Sequence, residues 1–118
     1  MVELRKHPRY ETQIPAQADV FGKPVPVSIT EISFAGLRFR TTKFIPPDTL
    51  VAVSITKGRH ITFNGWVIWV MDHFMPDGQV YDTGIQINAV IDAANRLIET
   101  GEREALIQEV AHRKTTGA

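Results

Sequence analysis

The chain has 118 residues with 13 basic and 13 acidic side chains, so its formal net charge is zero. This length fits a single domain with one modest core, and 43% hydrophobic with 22% charged residues excludes a disordered chain. The neutral charge argues against binding to a nucleic acid polymer. No apolar run reaches membrane-spanning length, so no membrane insertion is expected.

Residues 1–15 are predicted to form a flexible N-terminal arm that carries Arg5 and Arg9. Pro8 disfavours helix in the residue before it, and Pro15 closes the segment. The first residues contain no apolar signal core. The sequence has no cysteine, which excludes disulfides and thiolate metal sites and is compatible with a reducing compartment. A cytoplasmic protein is therefore expected.

Residues 16–91 are predicted to form a barrel of about six antiparallel strands. Apolar side chains recur at every second position, and glycine- or proline-containing turns separate the runs. Short strands at this spacing indicate an all-β barrel or sandwich. The alternating positions are Val25, Val27 and Ile29; Leu37 and Phe39; Val51, Val53 and Ile55; Ile61, Phe63, Val67 and Trp69; and Tyr81, Thr83, Ile85 and Ile87.

The alternation changes parity near Thr30 and Glu31. The inward positions are odd up to Ile29 but even at Ile32. Because side chains in a strand alternate strictly between faces, such a change requires a bulge or a strand end. This places residues 31–36 in an irregular corner, where binding groups often lie.

Residues 92–114 are predicted to form a C-terminal helical segment. Asp92 resembles an N-cap, residues 93–100 have a helical pattern, and Gly101 interrupts it before it resumes. The apolar positions expected to face the barrel are Leu97, Ile98, Leu106, Ile107 and Val110.

One surface of the predicted barrel needs a cover. The outer face of the strand that begins at Ile61 becomes apolar at Trp66, Ile68 and Val70. We expect the C-terminal segment to pack over it.

Four motifs, in this order, resemble those of the PilZ domain family. The resemblance covers nearly the whole chain and implies a non-enzymatic cytoplasmic β-barrel receptor for the bacterial messenger cyclic di-GMP. The motifs are Arg5–Arg9 (RxxxR), Glu31–Gly36 ([D/N]xSxxG), Gly65–Trp69 (GxVxW) and the glycine-containing strand Tyr81–Ile87.

The resemblance implies that Arg5 and Arg9 fold over a ligand held against Glu31, Ser33 and Gly36. Arginine suits such a ligand because its fork pairs with guanine or phosphate and its plane stacks on a base. A carboxylate at position 31 matches the guanine N1 and N2 donors. Gly36 permits a close approach or a positive φ.

Arg38 completes the expected ligand-binding set. It alternates with Leu37 and Phe39, so its side chain should point outward toward the same ligand. Arg40 is interpreted as an ordinary exposed strand residue, and Trp66 and Trp69 as packing residues.

Two positions depart from the family pattern. Glu31 stands where Asp or Asn is usual, and its extra methylene moves the carboxylate by about 1.5 Å. This leaves open an alternative function, a degenerate PilZ domain that acts as a protein–protein adaptor without nucleotide binding. Leu4 stands where an additional arginine accompanies binding of a stacked ligand pair, which favours one ligand per chain.

Two other classes of function were weighed. A small nucleic-acid-binding barrel is compatible with the aromatic strands but not with the neutral charge. An enzyme is not expected, because no catalytic triad, Walker motif or dinucleotide loop is present. No catalytic residue, metal or cofactor is therefore predicted, and a downstream protein partner is expected for a monomer or weak dimer. The residues interpreted as surface, structural or turn positions are His7, His60, His73, His112, Asp72, Asp77 and Asp82.

Overall fold

A computed structural model describes residues 8–56 and 58–112, and its six strands close into one antiparallel barrel. Around the barrel the strands follow the order β1-β2-β3-β6-β5-β4. A single helix follows the last strand, so the predicted all-β barrel with a C-terminal helix is confirmed. The elements are β1 (Arg9–Val20), β2 (Lys23–Ser33), β3 (Gly36–Thr41), β4 (Leu50–Ile55), β5 (Ile61–Met75), β6 (Gly78–Asp92) and α1 (Thr100–His112).

Most of the side chains that the two-residue period assigns to the barrel interior fill it. Trp69 is an exception, because the register shift between Val67 and Trp69 turns it to the outer face, where it is 38% exposed. Phe39 and Phe63 are fully buried, and Ile29, Val53 and Val67 lie with them in one core. Burying each such side chain stabilises the fold by about 1.5–3 kcal/mol. Side chains therefore occupy the interior, which favours a binding site on the outer surface.

The first strand begins earlier than the sequence analysis predicted. β1 starts at Arg9, so the boundary expected between residues 15 and 16 falls inside it. Pro15 is accommodated because β1 pairs with β4 only over residues 17–20, which leaves an open strand edge at the proline. The arm predicted for residues 1–15 thus belongs to the barrel from Arg9 onward, and residues 1–7 lie outside the described part of the chain.

The bulge predicted near Thr30 is present. The register between β2 and β3 shifts between Ile29 and Glu31, and both Ile29 and Ile32 have 0% exposure. The extra residue turns Glu31 and the following alternate position outward. The predicted irregular corner is shorter than expected, because β2 continues to Ser33 and only residues 34–35 form the bend.

Residues 93–99 are not helical, contrary to the prediction for residues 93–100, and Gly101 lies inside α1 and does not interrupt a helix. β6 continues to Asp92, whose carboxylate accepts hydrogen bonds from the backbone N–H of Ala94 and Arg96 at 3.0 and 2.9 Å and so caps a turn, not a helix. Asn95 adopts a left-handed φ of 65°. The chain then returns alongside β6, where the N–H of Ile98 donates to the Val90 carbonyl.

Helix α1 covers a different part of the barrel from the one predicted. Its apolar face packs against β1 and β2, and no helix among the described residues is long and apolar enough to cross a membrane. Trp66 and Ile68 remain 44% and 53% exposed, so the expectation that the C-terminal segment covers them is wrong. The buried helix residues are Leu106, Ile107, Val110 and Ala111.

Gly65 tests the packing of the bulged β5–β6 pair. A Cβ at this position would overlap the backbone carbonyl of Gln86, whereas a Cβ at Gly101, in the first turn of α1, would meet nothing within 4 Å. We expect Gly65→Ala to lower the free energy of unfolding by about 2 kcal/mol or more. The matched Gly101→Ala variant should be neutral or stabilising by up to about 1 kcal/mol. Urea unfolding of both variants checks this, and equal effects would contradict the described register.

Candidate functional site

A groove of about 600 Å³ lies on the outer surface of the barrel. It crosses β2, β3, β6 and β5, and the start of β1 forms one end. Of the six ligand-binding residues predicted from the sequence, the groove brings five together, while Arg5 lies outside the described residues. The five are Arg9, Glu31, Ser33, Gly36 and Arg38.

The strand register aligns the groove floor. Glu31 on β2 pairs with Arg38 on β3, Arg38 pairs with Gly84 on β6, and Gly84 pairs with Trp69 on β5. Directly opposite residues in neighbouring strands point to the same face of a sheet. A single row across four strands therefore carries a carboxylate, a guanidinium, a position without a side chain and an indole.

Arg9 and Glu31 face each other at one end of the groove. Arg9 Nη1 lies 4.0 Å from Glu31 Oε1, and the two side chains are 49% and 22% exposed. This separation exceeds that of a hydrogen bond, and a pair this exposed contributes little to stability. Both groups can therefore exchange their mutual contact for contacts with a ligand.

Thr30, the residue at the bulge, holds Arg38. Its hydroxyl donates to the Arg38 carbonyl at 3.3 Å and accepts from Arg38 Nε at 3.2 Å. Arg38 lines the groove with its guanidinium fixed at Nε by this hydrogen bond. Thr30 was not predicted as a site residue, although it lies at the change of parity that indicated the bulge.

Ser33 and Gly36 close the bend between β2 and β3. The Ser33 hydroxyl accepts from the Gly36 N–H and donates to the Gly36 carbonyl, both at 3.2 Å. Gly36 does not have the positive φ that was considered possible. Its missing side chain serves close packing instead, because a Cβ there would lie 3.1 Å from the Ile85 carbonyl.

Trp69 and Gly84 form the opposite wall. The indole lies directly on Gly84, where an added Cβ would overlap its ring atoms. Trp69 remains 38% exposed, and Ile68, at the β5 bulge, lines the groove beside it. Trp69 thus packs as expected from the sequence, but it also presents ring surface to the groove. This second role of Trp69 was not predicted from the sequence, and neither was the place of Gln86 on the groove floor. Both depend on which residues lie opposite each other in neighbouring strands.

A row of residues next to the groove contains an ion-pair network centred on Asp82. Asp82 was expected to be a turn residue, but it lies within β6. Arg40 donates from Nε and Nη2 to the Asp82 carboxylate at 3.0 and 3.3 Å, and His73 Nε2 lies 2.8 Å from the same group. Burial acts to raise the pKa of Asp82, but the hydrogen bond and charge of Arg40, together with His73, outweigh it and lower that pKa. The same contact raises the pKa of Arg40. Asp82 therefore neutralises Arg40.

Two arginines against one glutamate leave the groove net positive, with polar groups on one side and an aromatic wall on the other. Within residues 8–56 and 58–112, no group of three or more potential metal-binding side chains occurs. Such a groove offers positive charge and an aromatic surface, which are complementary to an anionic, ring-containing molecule.

The chain belongs to the PilZ domain family, whose model matches residues 3–101. PilZ domains are ligand-binding receptor domains, and cyclic di-GMP is the ligand of the family. No curated protein matches the chain significantly by sequence.

Two solved structures share the fold. The Bacillus subtilis inhibitor of motility MotI/DgrA aligns with a TM-score of 0.64 at 14% identity; the alignment covers 98% of this chain and 53% of that one, so this chain spans about half of its length. The PilZ domain of YcgR from Escherichia coli, solved with c-di-GMP, aligns with a TM-score of 0.63 at 10% identity over 98% of this chain and 94% of that one.

Gly84→Ala tests the contact between Gly84 and Trp69. The methyl group should push the indole away from the floor, because the side chain can move more easily than the strand backbone. Since the chain has two tryptophans, Trp66→Phe leaves Trp69 as the only reporter. In that background we expect Gly84→Ala to shift the fluorescence emission to longer wavelength and to increase quenching by acrylamide. Unchanged emission and quenching would contradict the contact.

Asp82→Asn tests the network beside the groove. Because the folded-state pKa of Asp82 lies below its ordinary value of 3.8, its stabilisation is present above that value and is lost as the pH falls through the folded-state pKa. The substitution should therefore lower the free energy of unfolding more at about pH 7 than at about pH 2. Urea unfolding of both proteins at the two pH values measures the difference. An equal loss at both would show that the ion pairs do not stabilise the fold.

Proposed function

We propose that this protein is a cytoplasmic receptor for cyclic di-GMP that signals to a protein partner through its ligand-dependent surface. The observation that carries the proposal is the convergence of Arg9, Glu31, Ser33, Gly36 and Arg38 on one outer groove. These residues come from three strands. Arg9, Glu31, Ser33 and Gly36 stand at positions of the two ligand motifs that the resemblance implies, and Arg38 follows the second motif by two residues.

The groove offers complementary chemistry for a guanine. Glu31 supplies two carboxylate oxygens that can accept from the guanine N1 and N2 donors. An arginine fork pairs with the guanine O6 and N7 or with two phosphate oxygens. Glu31 lies opposite Arg38 in the strand register, and its carboxylate is 4.0 Å from Arg9 Nη1, so one ligand can reach all three.

Glu31 is the position at which this chain departs from the family pattern. Its side chain is 22% exposed, and its carboxylate lies 4.0 Å from Arg9 Nη1. The carboxylate therefore has room to adjust for the extra methylene, which supports retention of nucleotide binding. With Leu4 in place of an additional arginine, we propose one ligand per chain.

The second candidate function is a protein–protein adaptor without nucleotide binding. Glu31 in place of Asp or Asn favours it, as does the apolar surface left open at Trp66 and Ile68.

The proposed receptor requires cyclic di-GMP but no metal, no cofactor and no catalytic residue.

Calorimetric titration of cyclic di-GMP tests the receptor function. We expect binding by the wild type at a ratio near one ligand per chain. Arg9→Ala and Arg38→Ala should each weaken binding by about tenfold or more, because each removes a charged hydrogen-bonding group. Arg59→Ala is the matched control, since Arg59 is similarly exposed but pairs with Glu109. It should bind like the wild type.

Glu31→Asp separates the two candidate functions. Binding by the wild type that is retained or strengthened in Glu31→Asp supports the receptor. Binding that appears only in Glu31→Asp would show that the wild-type chain has lost its ligand and would support the adaptor. No binding by either protein would overturn the receptor function.

A further inference from the structure

Helix α1 contacts the two backbone segments that carry the groove residues. At its first turns it contacts Phe34, which lies in the bend between Ser33 and Gly36. At its last turns it contacts Tyr10, which directly follows Arg9. The helix thus packs behind the site without lining it.

Arg103 makes the first of these contacts in two ways. Its Cζ lies 4.6 Å from the centroid of the Phe34 ring, and its Nη1 donates to the Phe34 carbonyl at 3.3 Å. Within residues 8–56 and 58–112, the buried Nε of Arg103 has no hydrogen-bond partner. The guanidinium thus contacts both the ring and the backbone carbonyl of Phe34.

The second contact ties the helix end to β1. Gln108 Nε2 donates to the Tyr10 hydroxyl at 3.1 Å, and the rings of Tyr10 and His112 meet edge to face at 5.6 Å. The Thr12 hydroxyl donates to the Ala111 carbonyl at 3.3 Å. Tyr10 and Thr12 point into the protein while Arg9 and Glu11 point out, so a shift of β1 at Arg9 is transmitted to the helix.

We propose that Arg103 is a positioning residue that couples occupancy of the groove to the docking of α1. The proposal rests on the proposed function and adds the route by which binding reaches a different surface. Ser33 and Gly36 hold each other across a bend of two residues. A ligand that fixes this bend also fixes the Phe34 carbonyl and ring, and so favours the docked helix. Because such coupling is reciprocal, a docked helix favours ligand binding to the same degree.

Arg103→Ala and Arg103→Lys distinguish coupling from simple support of the fold. Lysine keeps the charge but lacks the planar group that both stacks on Phe34 and donates to its carbonyl. Each variant is titrated with cyclic di-GMP, and amide hydrogen exchange of α1 is followed with and without ligand. Arg59→Ala is the control, because Arg59 also contacts α1, through Glu109, but does not line the groove.

In the wild type and in Arg59→Ala, saturating cyclic di-GMP should slow amide exchange in α1. In Arg103→Ala and Arg103→Lys this slowing should be largely lost, and the affinity should fall by about fivefold. Phe34→Tyr should retain the slowing, since it keeps the ring, whereas Phe34→Leu should lose it.

Two results would overturn the inference, and they are distinguishable. If the wild type binds cyclic di-GMP but α1 exchange does not change, or changes equally in Arg103→Ala, the coupling is wrong and the receptor function stands. If the wild type gives no heat of binding, the receptor function fails and this inference fails with it.

Discussion

The bulge at Thr30 is the constraint on which the site depends. Up to Ile29 the odd positions of β2 fill the barrel core, and beyond the bulge Ile32 does so. Without the extra residue, Glu31 would point into an apolar interior, where an unpaired carboxylate is costly. The bulge therefore allows β2 to place apolar side chains in the core on both sides of Thr30 and also to present Glu31 outward beside Arg38.

Close packing on the outer face determines the shape of the groove, whereas the bulge determines which β2 side chain faces it. Gly84 leaves a gap in the row that the Trp69 indole fills, and Gly36 lets β3 approach the backbone of β6. Arg40 and Asp82, one row further along, neutralise each other. Among the described residues that line the groove, Arg9 and Arg38 carry the positive charge. The barrel strands thus hold these side chains in fixed positions along one face.

The sequence predicted the parts of this protein that local periodicity determines. The two-residue alternation located the strands, and the parity change between Ile29 and Ile32 located the bulge. The prediction failed where a distant segment decides the outcome: residues 93–100 have a helical pattern, but pairing with β6 draws Ile98 into the core instead. For the same reason, the contact between Gly84 and Trp69 and the route from Arg103 to Phe34 were not predictable, because both join elements far apart in the chain.

The most direct test of the central claim, that the outer groove binds the ligand, is a nuclear magnetic resonance titration of the ¹⁵N-labelled protein with cyclic di-GMP. The account predicts that the largest shifts occur at the amides of Ser33, Gly36 and Arg38 and at the indole N–H of Trp69. The amides of β4 (Leu50–Ile55), which does not line the groove, should change little. Shifts centred on β4, or no shifts at saturating ligand, would contradict the account.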